Sequence, residues 1–163
     1  MSNICVGRKS FANPMFSPDS RWLVFSRGDC ESEGDPSSEV ILATAAANAQ
    51  RYALTRANAQ VGAQMLSRLQ NGMPTWAPSH DADIGWIAFT SIRDYGLVLT
   101  QGSQIGAQLR QLWIAAVDFK AIGNGDPSFP AFRLPAQDLD ENNHRPFWTV
   151  DVLPPDWKPP IVR

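Results

Sequence analysis

One short pattern is stated twice in this chain, and a repeat constrains a fold more tightly than any single element can. Asn13-Pro14-Met15-Phe16-Ser17-Pro18-Asp19-Ser20 runs into Trp22-Leu23-Val24-Phe25-Ser26. Met73-Pro74-Thr75-Trp76-Ala77-Pro78 runs, after a longer turn, into Trp86-Ile87-Ala88-Phe89-Thr90-Ser91. Each copy reads Pro, any residue, aromatic, small residue, Pro, a polar turn, then a Trp-to-Phe strand. Repetition at this spacing is the mark of a stacked architecture, in which each unit buries its faces against its neighbours.

The copies expand into two sets of four strands. Ser17-Pro18-Asp19-Ser20 has type I turn chemistry, with Pro setting φ at the second position and Ser and Asp able to bond back to the local backbone. Trp22 to Ser26 is then a dense strand, and Glu39 to Thr44 a third. Helix propensity favours Ala45 to Gln70, but the repeat places a turn at Ala46 to Ala49 and a fourth strand over Arg51 to Thr55. A helical turn is expected near Gln64 to Leu69. In the second copy Pro74 to Trp76 is the first strand, Ser79 to Gly85 an expanded turn, and Trp86 to Ser91 the second strand. Gln111 to Asp118 is the third and Ala131 to Leu134 the fourth. Pro146-Phe147-Trp148 restarts the pattern as the opening strand of a third unit. Strands apolar on both faces fit sheets stacked around an axis. The expected fold is all-β, with propeller-type blades of four antiparallel strands in an incomplete propeller. Residues 1–10 form an extension, 11–57 and 72–136 the blades, 143–150 the start of a third, and 151–163 a proline-rich tail.

A formal net charge of −2 offers nothing to phosphate backbones or anionic membranes, so nucleic acid is not an expected partner. No apolar run reaches the ~18 residues of a membrane helix, and the first nine residues lack the apolar core of a signal peptide. Cys5 and Cys30 are too far apart for a zinc-type pair; one disulfide or two buried thiols are both compatible with the sequence. Six Trp and eight Phe recur at matching repeat positions. Trp22, Trp76, Trp86, Trp113 and Trp148 are therefore read as packing residues.

These residues resemble the TolB-like, WD-like β-propeller repeat family. Its blades open on Pro-x-Trp-Ser-Pro-Asp-Gly, followed by a Trp-Ile-Ala-Phe-like strand and Ser-x-Arg-Asp. Pro14 to Ser20 matches with Phe and Ser replacing Trp and Gly. Pro74 to Pro78 and Trp86 to Asp94 match with an enlarged turn. The resemblance covers roughly residues 11 to 150 and implies a fold more than a function. Family members include envelope proteins that dock partners, solute-binding modules and propellers attached to peptidases, which implies a periplasmic or extracellular setting. Propellers have four to eight blades, whereas blade-start prolines here fall only at 14, 74 and 146. The chain is thus expected to be part of a larger propeller, or to bring two blades to others. The sheets carrying Phe89 and Trp113 are expected to leave an apolar face and open edges that favour self-association.

Catalytic signatures are missing from the sequence: it has no Gly-x-Ser-x-Gly elbow, phosphate loop or His-Glu-x-x-His. His80 reads as a loop residue, and His144 as a loop residue or a lining residue of a propeller mouth. Asp138-Leu139-Asp140-Glu141-Asn142 begins like a calcium loop, but Asn143 and Thr149 replace the Gly and Glu that such a loop requires. Neither a metal nor a cofactor is expected. Arg93-Asp94-Tyr95, emerging at a rim after the Phe89 strand, is the candidate binding surface, joined by His144 and Arg145. For Arg93 and Asp94 the competing reading is a local turn cap.

The function expected is a non-enzymatic interaction module that binds a protein partner or a small polar ligand through rim loops. The alternatives are the propeller portion of a larger hydrolase or peptidase, and a carbohydrate-binding propeller.

Overall fold

The computed structural model describes residues 9–29, 35, 37–59, 70–78, 83–94 and 109–149. Cys5, Cys30, His80, Tyr95, the helical turn expected at 64–69 and the proline-rich tail lie outside them. Two four-stranded antiparallel sheets account for the architecture, each a simple meander in chain order. The first contains β1 (Ser10–Phe16), β2 (Trp22–Gly28), β3 (Glu39–Thr44) and β4 (Arg51–Ala53). A four-residue helix, α1 (Thr55–Asn58), leads out of it. The second contains β5 (Gly72–Trp76), β6 (Ile84–Ser91), β7 (Gln111–Asp118) and β8 (Phe132–Arg133).

The two sheets are the same object built twice. Met15 pairs with Val24 and Phe16 with Leu23; Thr75 pairs with Ala88 and Trp76 with Ile87. Phe25 faces Ile41 as Phe89 faces Trp113. Even the irregularities repeat. The first strand of each sheet shifts register just before its paired aromatic, between Ala12 and Met15 and between Gly72 and Thr75. Asn13 and Met73, the residues preceding the repeated prolines, both sit at positive φ, 53° and 50°. Left-handed backbone is costly for a residue with a Cβ, so its recurrence at equivalent positions marks a bulge built into the repeat.

Turn chemistry explains the first hairpin. Ser20 N donates to Ser17 O (2.9 Å), closing the turn, and Ser17 Oγ donates to Asp19 Oδ1 (2.6 Å). Asp19 also accepts from Arg21 N and Nε. Partial burial pushes the Asp19 carboxyl up, but the hydrogen bonds from Ser17 and Arg21 together outweigh it and draw its pKa down to about 2. The second copy repeats the backbone closure, Ala77 N to Trp86 O (2.9 Å), where the first has Ser17 N to Trp22 O (2.9 Å).

Side chains alternate across each sheet, and the core lies between the sheets. One face of the first sheet offers Val24, Val40 and Leu42; the second meets it with Ile87, Phe89, Trp113, Ala115 and Val117. All but Ala115 are large side chains fully removed from water, each contributing roughly 1.5–3 kcal/mol. The indole of Trp22 stacks on Phe119 at 5.6 Å and 8°. Gly85 makes room for that stack: a Cβ there would stand 2.6 Å from Phe119 Cζ and 2.7 Å from Trp76 Cζ3.

Three sequence expectations are corrected. The expanded turn ends at Asp83, because Ile84 and Gly85 already pair with Asp118 and Val117. The polar start of α1 was hidden in the tail of an expected strand. Pro146-Phe147-Trp148, expected as the opening strand of a third unit, has no strand pairing among the described residues; a strand needs a neighbour to take its N–H and C=O groups.

Gly85→Ala is expected to destabilise the fold by about 1–3 kcal/mol through overpacking, read as a lowered urea midpoint at unchanged m-value. For Asp19, a folded pKa below the ordinary 3.8 means its contribution is full above that value and is lost as pH falls from 3.8 toward 2. Asp19→Asn should flatten that part of the stability profile in denaturant titrations run across pH 2–5.

Candidate functional site

The Arg93 guanidinium, expected at a rim, is wholly enclosed. Strand β6 ends at Ser91, and the next two residues turn inward. Nη1 of Arg93 donates to Ala57 O (2.9 Å) and Ala59 O (2.7 Å), Nη2 to Asn71 Oδ1 (2.7 Å), and Nε to Ser91 Oγ (3.0 Å). Its charge lies over the rings of Trp113 (4.8 Å) and Phe89 (5.3 Å). Burial drives its pKa down from 12.5 to about 9, which leaves it charged at neutral pH.

The network continues beyond Arg93. Asn71 Nδ2 donates to Asn58 Oδ1 (3.1 Å), and Asn58 pairs with both backbone groups of Val40, at 2.8 Å each. From the second sheet, Asp126 Oδ2 accepts from Arg56 N (2.7 Å) and Ser128 Oγ from Ala57 N (3.1 Å), satisfying the open N–H groups of α1. Arg93 is therefore an inter-sheet tie. Asp94 is buried as well, and neither residue presents a binding surface. The local bonding expected from the sequence exists, at Ser91, but the greater part reaches across to α1 and Asn71.

Arg145 and His144 are exposed, and Arg145 takes part in a recess built from all three copies of the repeat. Asn13, Pro14 and Met15 form one side and Met73, Pro74 and Thr75 another; Arg145 and Phe147 complete a groove of about 180 Å³. The repeated bulges bring Pro14 and Pro74 side by side there, since β5 lies against β1 and β2. Trp148 Nε1 reaches Thr75 O at 3.4 Å, a long bond, and so holds the third copy against β5. A guanidinium at the mouth of an apolar, proline-walled groove can take a carboxylate while the floor accepts an apolar side chain. Asn143 N donates to Arg110 O and Asn142 Oδ1 accepts from Arg110 N, both 2.9 Å, anchoring the segment that carries Arg145.

Two other expectations meet the structure here. Asp138 Oδ1 accepts from Asp140 N (3.0 Å), making the acidic stretch a local turn. Among the described residues, no three His, Cys, Asp or Glu side chains gather as a metal site. Trp86 departs from its reading as a packing residue, being 40 % exposed although it is the counterpart of stacked Trp22. The apolar face left uncovered is accordingly that of Trp86. The opposite face, with Phe89 and Trp113, is sealed against the first sheet. Nothing in the sequence separates Trp22 from Trp86, because the difference lies in which sheet has a neighbour. The groove was equally hidden, its walls coming from segments 60 and more residues apart. No family model, curated protein or solved structure matches this chain.

Replacing Arg93 by Met should leave Asn71 Oδ1 and two carbonyls without partners, at about 1–3 kcal/mol for each buried group. Arg93→Lys should recover only part of that loss, because an ammonium cannot span the fork. Chemical denaturation of both variants against wild type provides the ranking, wild type above Lys above Met.

Proposed function

We propose that this chain is a β-propeller-type interaction module of the TolB-like kind, without chemistry of its own, that holds a protein segment or small polar ligand at its inner rim. The observation that supports this reading most directly is the groove between Pro14 and Pro74 with Arg145 at its edge. Matching bulges bring two inner strands together, each part of a hydrogen-bonded sheet, and the third copy supplies an exposed cation. A rigid scaffold carrying variable residues at the ends of its strands is a general way of making a binding site. Bulk composition adds to this: the surface has no charge excess that would direct it to nucleic acid.

The preferred ligand chemistry is an anion joined to a compact apolar group, such as an acidic side chain or the C-terminal carboxylate of a peptide. A carbohydrate reading draws on exposed Trp86, but the recess around that indole is lined by Ile84, Ala116, Phe129, Pro130 and Phe132. Beyond the indole N–H of Trp86, that lining has no hydrogen-bonding side chain to read hydroxyl groups, so an apolar partner suits it better.

Titrating the protein with a short peptide ending in a free carboxylate should shift backbone NMR resonances of residues 13, 15, 73, 75 and 145–148. Arg145→Glu should abolish those shifts while leaving the sheet resonances in place. Peptide-induced shifts that are absent, or that survive Arg145→Glu, would remove the groove as the site.

A further inference from the structure

The interface inside this molecule has two halves, and each half has a counterpart by strand register on the outer side of the other sheet. The back of the first sheet, with Trp22, Val24, Leu42 and Tyr52, packs on the front of the second, with Trp76, Ile87, Phe89 and Trp113. Strand register gives the counterparts directly. The back of the second sheet carries Trp86, Ala88, Ile114 and Phe132, matching Trp22, Val24, Leu42 and Tyr52 one for one. The front of the first carries Phe16, Leu23, Phe25 and Ile41, matching Trp76, Ile87, Phe89 and Trp113.

Both outer faces have exposed aromatic residues, although on the front of the first sheet Phe25, Ile41 and Ala43 are already buried as a small cluster, with Arg51 and the Arg27–Glu39 pair on the same side. On the back of the second sheet Trp86 is 40 % exposed, and Phe129 and Phe132 are each 44 % exposed, around a recess of about 340 Å³. Pro146–Trp148 meets β5, and these three aromatic residues lie outward of it. On the front of the first sheet Phe16 is 59 % exposed, beside a recess of about 250 Å³ lined by Phe11, Leu23, Phe25 and Ala43. Size differences between the copies compensate. Counting outward from the paired residues, Ala47 occupies the place of Phe119, so the front of the first sheet lacks a ring. Phe129 occupies the place of Ala49, so the back of the second sheet has one to spare.

We propose that the occupant of the Trp86 face is a second copy of this chain, stacked head to tail, with the front of its first sheet on the back of this molecule's second sheet. The contact repeats the internal interface, Trp86 taking the role that Trp22 has inside the molecule. It is heterologous, since different patches meet, so each copy keeps one free face and further copies add until a ring closes or a filament grows. A partner sheet facing its own kind, Trp86 face to Trp86 face, would instead stop at two. This contact borders the Arg145 groove at Pro14, which lines both recesses, but it does not use Arg145, and its failure would leave that reading untouched.

The test uses two surface variants, Trp86→Glu to disable the back and Phe16→Glu to disable the front, compared with wild type by sedimentation velocity over a concentration series. Wild type is expected to show a mass rising with concentration, and each variant alone to sediment as a monomer. Mixed in equal amounts they should form a one-to-one dimer, because each retains the half that the other has lost. Far-ultraviolet circular dichroism checks the sheets, and Phe132→Glu replaces Trp86→Glu if that variant loses its strand signal. A wild type that stays monomeric throughout the series, a mixture that stays monomeric, or a Phe16→Glu protein that associates as wild type does would each overturn the proposal.

Discussion

Among the described residues, much of the hydrogen bonding that joins one sheet to the other gathers around one buried cation, Arg93. Hydrophobic contact holds Val24, Val40 and Leu42 against Phe89 and Trp113, but such contact is non-directional and would tolerate a sliding of the sheets. Arg93 removes that freedom. Its fork takes two carbonyls from α1 and its end, one amide oxygen before β5 and one hydroxyl of its own strand, while two aromatic faces accept its charge. Moving either sheet by a residue would strand a guanidinium in a medium that cannot solvate it. The short helix and the Asn58–Asn71 pair have the same dependence, since they complete the set of acceptors that makes the burial tolerable.

Seen from that tie, the sheets are alike in backbone and unlike in circumstance. The same register, bulge and closing bond recur, yet Trp22 is packed and Trp86 is 40 % exposed. Repeats of this kind divide their labour by position: an internal face is finished by its neighbour, and a terminal face is left with the same residues and no cover.

The readable part of the fold was the part written locally. Glu39–Thr44 and Gln111–Asp118 agree with the strands to the residue, because dense β-favouring runs bounded by turns leave few alternatives. Arg51–Ala53 was recoverable through the repeat despite a helix-favouring neighbourhood. Helix α1 was not, because four residues carry no periodicity, and its N–H groups are satisfied by Asp126 and Ser128 from 70 and 71 residues away. The candidate site divides the same way. Arg145 could be singled out beside the third proline, but its groove exists only when Pro14 and Pro74 meet. Arg93 drew attention as a rim residue for its position after a strand, and nothing in Ser-Ile-Arg-Asp reveals that the side chain turns inward to Asn71.

The paired bulges at Asn13 and Met73 also bear on how such a chain avoids unwanted company. They lie on β1 and β5, the strands at one edge of each sheet, and each is followed by a proline that has no N–H to offer. An incoming strand would find a kinked rim with a missing donor in place of a straight row of hydrogen-bonding groups. Growth by lengthening the sheets is thereby discouraged along that border, and whatever joins this molecule there must recognise side chains instead of borrowing its backbone.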